Sequence, residues 1–296
     1  MPSLKDIRRR VSSVKNTQKI TRAMKLVAAA KLRRAQNAMN ELKPYAGKYQ
    51  EVLTSLINQG AGQGDSVHPL LEVREIKRLA IIALSSDRGM CGGFNTNAQR
   101  SLSNFMKKYG KRESVEMEIY PVGRRMTQYV RRRGYRVGTA YENIVDLVEN
   151  DGIRGLSQLI QDGFESGKFD EVVLIGNRFV NAISQVPSTV TLLPFSADAM
   201  VEDEDAGAET GGDLLYEPDA ETLLGFVVPQ YVDVQIRQGI LESIAGEHAA
   251  RMNAMNNATE NAGEMIASLT LQMNRARQAA ITKELMEIIG GAEALK

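Results

Sequence analysis

Residues 230–292, QYVDVQIRQGILESIAGEHAARMNAMNNATENAGEMIASLTLQMNRARQAAITKELMEIIGGA, decide the fold. No proline follows Pro229, and apolar residues recur at helical spacing for some sixty positions. Counting in sevens gives Leu241, His248, Met255, Ala262, Leu269 and Ala276, and again Ala245, Met252, Thr259, Ile266, Met273 and Ala280. Ten of these twelve are apolar, a narrow stripe of the kind a coiled-coil seam requires. At 1.5 Å per residue the helix is about 90 Å long, far beyond an ordinary globular helix. Such a helix needs a partner.

The other end of the chain supplies one. From Leu4 the sevens run Val11, Gln18, Lys25, Leu32, Met39, Ala46, Leu53; from Ile7 they run Val14, Thr21, Ala28, Ala35, Leu42, Tyr49, Leu56. Thirteen of the sixteen are apolar, and the exceptions, Gln18, Thr21 and Lys25, fall together. That polar gap is expected to face something other than the partner helix. Ser3 is a natural N-cap, and Pro44 should kink or break the helix because it removes a backbone donor. Residues 1–50 hold thirteen Lys or Arg against two acids. A solvated helix face accounts for this; an acidic protein partner or nucleic acid would also fit. Only Tyr45 and Tyr49 interleave with the basic residues, too few for a stacking surface.

Between the two helices the pattern changes. A glycine-rich break at 58–67 leads to KRLAIIAL at 77–84, a buried strand, then to a loop at 85–95 and a helix over 96–109. A second strand is expected at 116–122, helices at 124–133 and 153–165, and strands at 171–175 and 189–193. This alternation predicts a parallel-leaning, doubly wound, Rossmann-like α/β domain over 70–218. Residues 198–221 contain ten acids and no base, and 198–213 reads as an acidic loop. Asp219 can cap the closing helix, which Pro229 should kink early. The domain plan is therefore 1–58 with 219–296 as an antiparallel coiled-coil shaft, and 70–218 as the α/β domain.

Composition narrows the function. The chain has 296 residues, a net charge of +1 and one cysteine, Cys91. No internal disulfide can form, and a reducing compartment is expected. The two histidines are isolated, so no metal or other cofactor is expected. No apolar run is long enough to span a bilayer. The N-terminus lacks the apolar core of a signal peptide, and the helical periodicity running through it argues against a transit peptide.

The loop SSDRGMCGGFN at 85–95 is the one chemically suggestive motif. A glycine-rich turn between strand and helix is where dinucleotide folds hold phosphate. Yet Gly89, Gly92 and Gly93 do not make GxGxxG, and no GxxxxGK[ST] occurs. Cys91 with Asp87 and Arg88 lacks a nearby histidine to activate a thiol. A tight turn presented to a partner fits better, although a nucleotide enzyme remains an alternative.

Four segments carry a resemblance: IRRRVSSVKNTQKITRAMKLVAAAKLRRAQ at 7–36, SDRGMCGGFN at 86–95, NRFVNAISQVP at 177–187 and RARQAAITKELMEIIGGA at 275–292. In order and position they resemble the gamma-subunit family of the rotary, F-type ATP synthases. The resemblance implies a central rotor shaft, with no chemistry of its own, inside a ring of alternating alpha and beta subunits. Its foot would rest on the epsilon subunit and on the membrane ring of proton-carrying c subunits. No nucleic acid and no small-molecule substrate are expected. Residue by residue, it implies that Met24, Lys25 and Arg251 face the lever loops of the beta subunits. Arg277 and Gln278 would meet a beta-subunit catch loop, with Thr282, Glu284 and Glu287 on adjoining turns. Asp87, Arg88 and Cys91 would lie close to the levers. The chain lacks the inserted cysteine pair of plant chloroplast members, which favours a bacterial protein at the cytoplasmic face of the inner membrane.

Overall fold

The computed structural model describes residues 4–58, 68–110, 115–149, 151–195 and 219–293. Ser3, most of the glycine-rich break at 58–67 and the acidic loop at 198–213 lie outside them. Elements run α1 (Leu4–Asn58), a 3-10 turn (Pro69–Leu71), β1 (Arg78–Leu84), α2 (Phe94–Tyr109), β2 (Glu116–Val122) and α3 (Arg124–Arg132). They continue with α4 (Ile144–Glu149), α5 (Gly152–Glu165), β3 (Glu171–Phe179), β4 (Gln185–Leu193) and α6 (Ala220–Glu293). Two compact units result, Met1–Ala29 with Arg251–Lys296, and Ala30–Ala250. Both long helices therefore contribute to both units, whereas the expected plan gave each whole helix to the shaft.

In the first unit the ends of α1 and α6 pair. Gln18 Nε2 donates to the Thr259 carbonyl at 3.3 Å, and Lys25 Nζ donates to Asn256 Oδ1 at 2.6 Å. As the number rises on one helix it falls on the other, so the pair is antiparallel. Ile7, Val11 and Ala28 are buried from one side, Met255 and Ala262 from the other. The polar gap departs from expectation. Thr21 is only 8% exposed and its hydroxyl lies 2.7 Å from that of Thr259. Gln18, Thr21 and Lys25 thus face the partner helix, because α6 offers Thr259 and Asn256 at matching positions and the polar groups satisfy one another.

The second unit is built on a four-stranded sheet in the order β2-β1-β3-β4. β1 pairs in parallel with β2 and β3, while β4 is antiparallel to β3. On one face Leu79, Ile81, Ala83, Val173 and Ile175 form a core with Ala98 and Leu102 of α2 and Met126 and Val130 of α3. On the other lies α6: a side-chain carbon placed on Gly239 would come within 2.7 Å of Leu174. Here α6 buries Leu224, Val228, Val232, Ile236, Ile240 and Ile244, more of its circumference than a two-helix seam needs. Leu32, Ala35, Leu53 and Leu56 of α1 are buried too. Every position of the two N-terminal series is buried or half-buried.

Both prolines lie inside continuous helices, so Pro44 does not break α1. Pro44 is exposed, so the carbonyl it orphans can meet water. Pro229 orphans the carbonyl of exposed Gly225, while its own carbonyl accepts from Gln161 Nε2 at 3.0 Å. Asp219 caps α6 as expected, its carboxylate accepting from the Thr222 backbone N–H at 2.7 Å.

Candidate functional site

The loop after β1 is held by its own side chains. The Ser86 backbone N–H and hydroxyl both donate to Asn95 Oδ1, at 3.0 and 2.9 Å. Asn95 Nδ2 donates to the Arg88 carbonyl and to Cys91 Sγ, each at 3.2 Å. Asp87 turns outward from this knot and clamps two other elements. Its Oδ1 accepts from the backbone N–H of Arg124 at 2.9 Å and of Asn143 at 3.1 Å, and its Oδ2 from Ile144 at 2.9 Å. One carboxylate therefore joins the loop to the starts of α3 and α4. Gly123 lets this happen: at φ 98° a side-chain carbon there would collide with the Ser85 carbonyl.

Two expectations for the loop change. Cys91 is 1% exposed, packed beneath Asn95 and Ser86, so its thiol is a core group and not a presented one. Asp87 has its oxygens engaged by backbone, which makes it a structural clamp. The surface the loop does present is Arg88, Met90, Gly92 and Gly93. Met90 is 63% exposed with φ 62°, a strained position for a side chain that touches so little of its own protein.

On the coil, Met24 and Lys25 are half-buried. Arg251, off both heptad series and expected to face the levers, is only 9% exposed. It falls where α6 leaves the all-round burial of the second unit, so the heptad count misjudged its surroundings. Sequence reasoning also passed over Ile20, Leu26 and Val27, which are 57–65% exposed on α1. Their signal was visible: apolar residues off both heptad series.

The end of α6 is different in kind. Gln18 lies beside Gly263 and Lys25 beside Asn256, so Leu4, the first described residue of α1, falls opposite about residue 277. From there no described residue of α1 lies opposite α6, and every side chain described over 277–290 is exposed. Arg277, Gln278, Thr282, Glu284 and Glu287 all lie on this overhang. So do Ile281, Leu285, Met286, Ile288 and Ile289, each more than half exposed. No described segment of the chain covers them.

The family model for ATP synthase matches residues 3–295. The ATP synthase gamma chain of Pelotomaculum thermopropionicum is 43% identical over 296 residues, covering the whole of both chains. That of Trichlorobacter lovleyi is 44% identical over 299 residues, again covering both completely. The chain belongs to the ATP synthase gamma-chain family. A chain of the central stalk and c-ring of Tetrahymena thermophila mitochondrial ATP synthase shares 25% identity over 81% of this chain and 99% of its own, with a TM-score of 0.57. A rotor chain of the Euglena gracilis mitochondrial enzyme shares the fold, with a TM-score of 0.60 over 94% of this chain and 98% of its own, at 19% identity. As a gamma chain, the protein is a subunit of a larger complex. No helix among the described residues is long and apolar enough to cross a membrane.

Proposed function

We propose that this chain is the central shaft of a rotary ATP synthase, turning inside a ring of alpha and beta subunits and carrying no chemistry itself. The observation that carries this reading is the overhang of α6. Ile281, Leu285 and Ile288 recur at helical spacing, with Met286 and Ile289 beside them, all open to water in the free chain. Exposed apolar side chains forming one broad face of a helix, with nothing described to cover it, call for an apolar partner surface. An apolar sleeve formed by the ring meets that need.

The polar residues of the same overhang, Arg277, Gln278, Thr282, Glu284 and Glu287, then contact the beta-subunit catch. Arg88 with Met90 on the loop, and Met24 and Lys25 on the coil, face the levers, while buried Arg251 holds α6 in its own packing. Rotation driven by proton flow through the c ring would force the beta subunits through successive states. The epsilon subunit and c ring hold the foot, which keeps the chain peripheral at the cytoplasmic face of a bacterial inner membrane.

The test substitutes Leu285→Asp with Ile288→Asp in the full chain. Both sites are exposed, so the free chain should melt within about 0.5 kcal/mol of the parent. Assembly with purified alpha and beta subunits should fall sharply, because two carboxylates enter an apolar sleeve. Normal assembly and normal ATP-driven rotation of the variant would overturn the sleeve reading.

A further inference from the structure

The end of the sheet where the parallel strands begin is ringed by cations. α2 and α3 each follow a parallel strand and return along it, so both helices end there. Lys107 and Lys108 close α2, and Arg131 and Arg132 close α3. Arg133 follows at once, and Arg136 lies beside β2, its carbonyl accepting from the Ile119 N–H at 3.0 Å. All six side chains are exposed; Arg136 is paired with Glu116 at 3.1 Å, Lys108 lines a pocket together with Glu171, and Asp170 is paired with Arg78. Inside the ring is an apolar fringe. Met106, Val115, Met117, Tyr129 and Tyr135 are only partly buried, packed against the core from this end.

We propose that this end of the α/β unit docks on an anionic phospholipid surface. Cations at a helix C-terminus are favourable in themselves, but that effect is confined to the last turn and does not call for a fringe of aromatic and thioether side chains. Three consecutive arginines on a helix splay by about 100° each, so they can share a target only when it is met end-on and is broad. The guanidinium fork suits phosphate oxygens, and arginine fills every basic position from Arg124 to Arg136. Tyrosines beside cations around apolar side chains are the composition of a bilayer interface, which an acidic protein segment would not require.

Vesicle flotation of the full chain tests this without the ring. The chain should float with vesicles of equal parts phosphatidylglycerol and phosphatidylcholine, and not with phosphatidylcholine alone. Each cation near such a surface is worth about fivefold in partitioning, so Arg131→Gln, Arg132→Gln and Arg133→Gln together should weaken binding about 100-fold. Arg8→Gln, Arg9→Gln and Arg10→Gln remove the same charge from α1 and should leave binding within a fewfold. Equal losses in the two triple variants would overturn the proposal, since net charge would then suffice. So would the absence of flotation, or polyglutamate displacing the chain at lower charge concentration than the lipid, which would mark an acidic protein as the partner.

Discussion

The Thr21 hydroxyl lies 2.7 Å from the Thr259 hydroxyl, across the seam of the antiparallel coil. Thr259 also bonds the Met255 carbonyl at 2.7 Å, and Thr21 the Gln18 carbonyl at 3.1 Å. With one proton on each hydroxyl, one donates across the seam while the other donates to its own helix carbonyl, so replacing either threonine by valine removes the cross-seam bond and should cost about 1 kcal/mol. Replacing both should cost less than the sum, with a coupling of roughly 0.5–1.5 kcal/mol. A double-mutant cycle from urea melts, followed by a probe in the coil, measures it. Strict additivity would mean the two hydroxyls do not act as a pair.

Asp87→Ala should destabilise the α/β unit by about 2–4 kcal/mol, since one carboxylate accepts from three backbone N–H groups. Asp87→Asn keeps one acceptor oxygen and should fall between. Amide exchange should quicken at Arg124, Asn143 and Ile144 before it does elsewhere. Unchanged exchange at those three would remove Asp87 from its clamping role.

Arg277→Ala and Gln278→Ala sit on the bare end of α6 and should leave the free chain's melt within about 0.5 kcal/mol. In the assembled enzyme both should lower the protons pumped per ATP hydrolysed, as a polar contact to the ring is lost. Arg251→Ala should behave otherwise: a buried side chain is removed, and the melt itself should drop. Parental coupling in the first two variants would take those residues out of the proposed contact.

Burial pushes the Asp233 carboxyl above the ordinary carboxylate range, and Arg237 and Arg154 only partly pull it back. The folded chain then binds this proton more tightly than the unfolded chain. The resulting stability is fully present below the usual value of 3.8 and is lost as pH rises through the raised one. Asp233→Asn keeps the shape without the titration. The stability of the variant relative to the parent should rise from about pH 4 towards pH 7. A pH-independent difference in urea melts would contradict the raised value.

The seam, the strands at 78–84 and 116–122 and the cap at Asp219 were legible because each follows from local chemistry. Heptad spacing shows where a helix needs a partner, a run such as Leu79–Leu84 can only be comfortable in a core, and an aspartate before a helical run satisfies its N–H groups. β3 extends past its apolar run to Asn177 and Phe179 because pairing with β4 carries it there. That hairpin had a readable sign, since Asn181 Oδ1 accepts from the Ile183 and Ser184 N–H groups at 2.9 and 2.8 Å.

Other features depend on distances the sequence does not contain. A period of seven says that Thr21 belongs to a seam, but which residue it meets depends on how far the antiparallel helices slide, and only the fold sets that. The same slide leaves 277–290 bare, although its apolar pattern continues that of the half-buried turns before it. Arg251 looks exposed by residue type and Cys91 by its place in a presented loop, yet both are buried, because burial is decided by what other segments bring alongside. Asp87 reads as a loop carboxylate until α3 and α4, some 37 and 56 residues away in sequence, turn their backbone N–H groups onto it. Periodicity is a property of one segment; register, burial and clamping are properties of pairs of segments, and those exist only once the chain has folded.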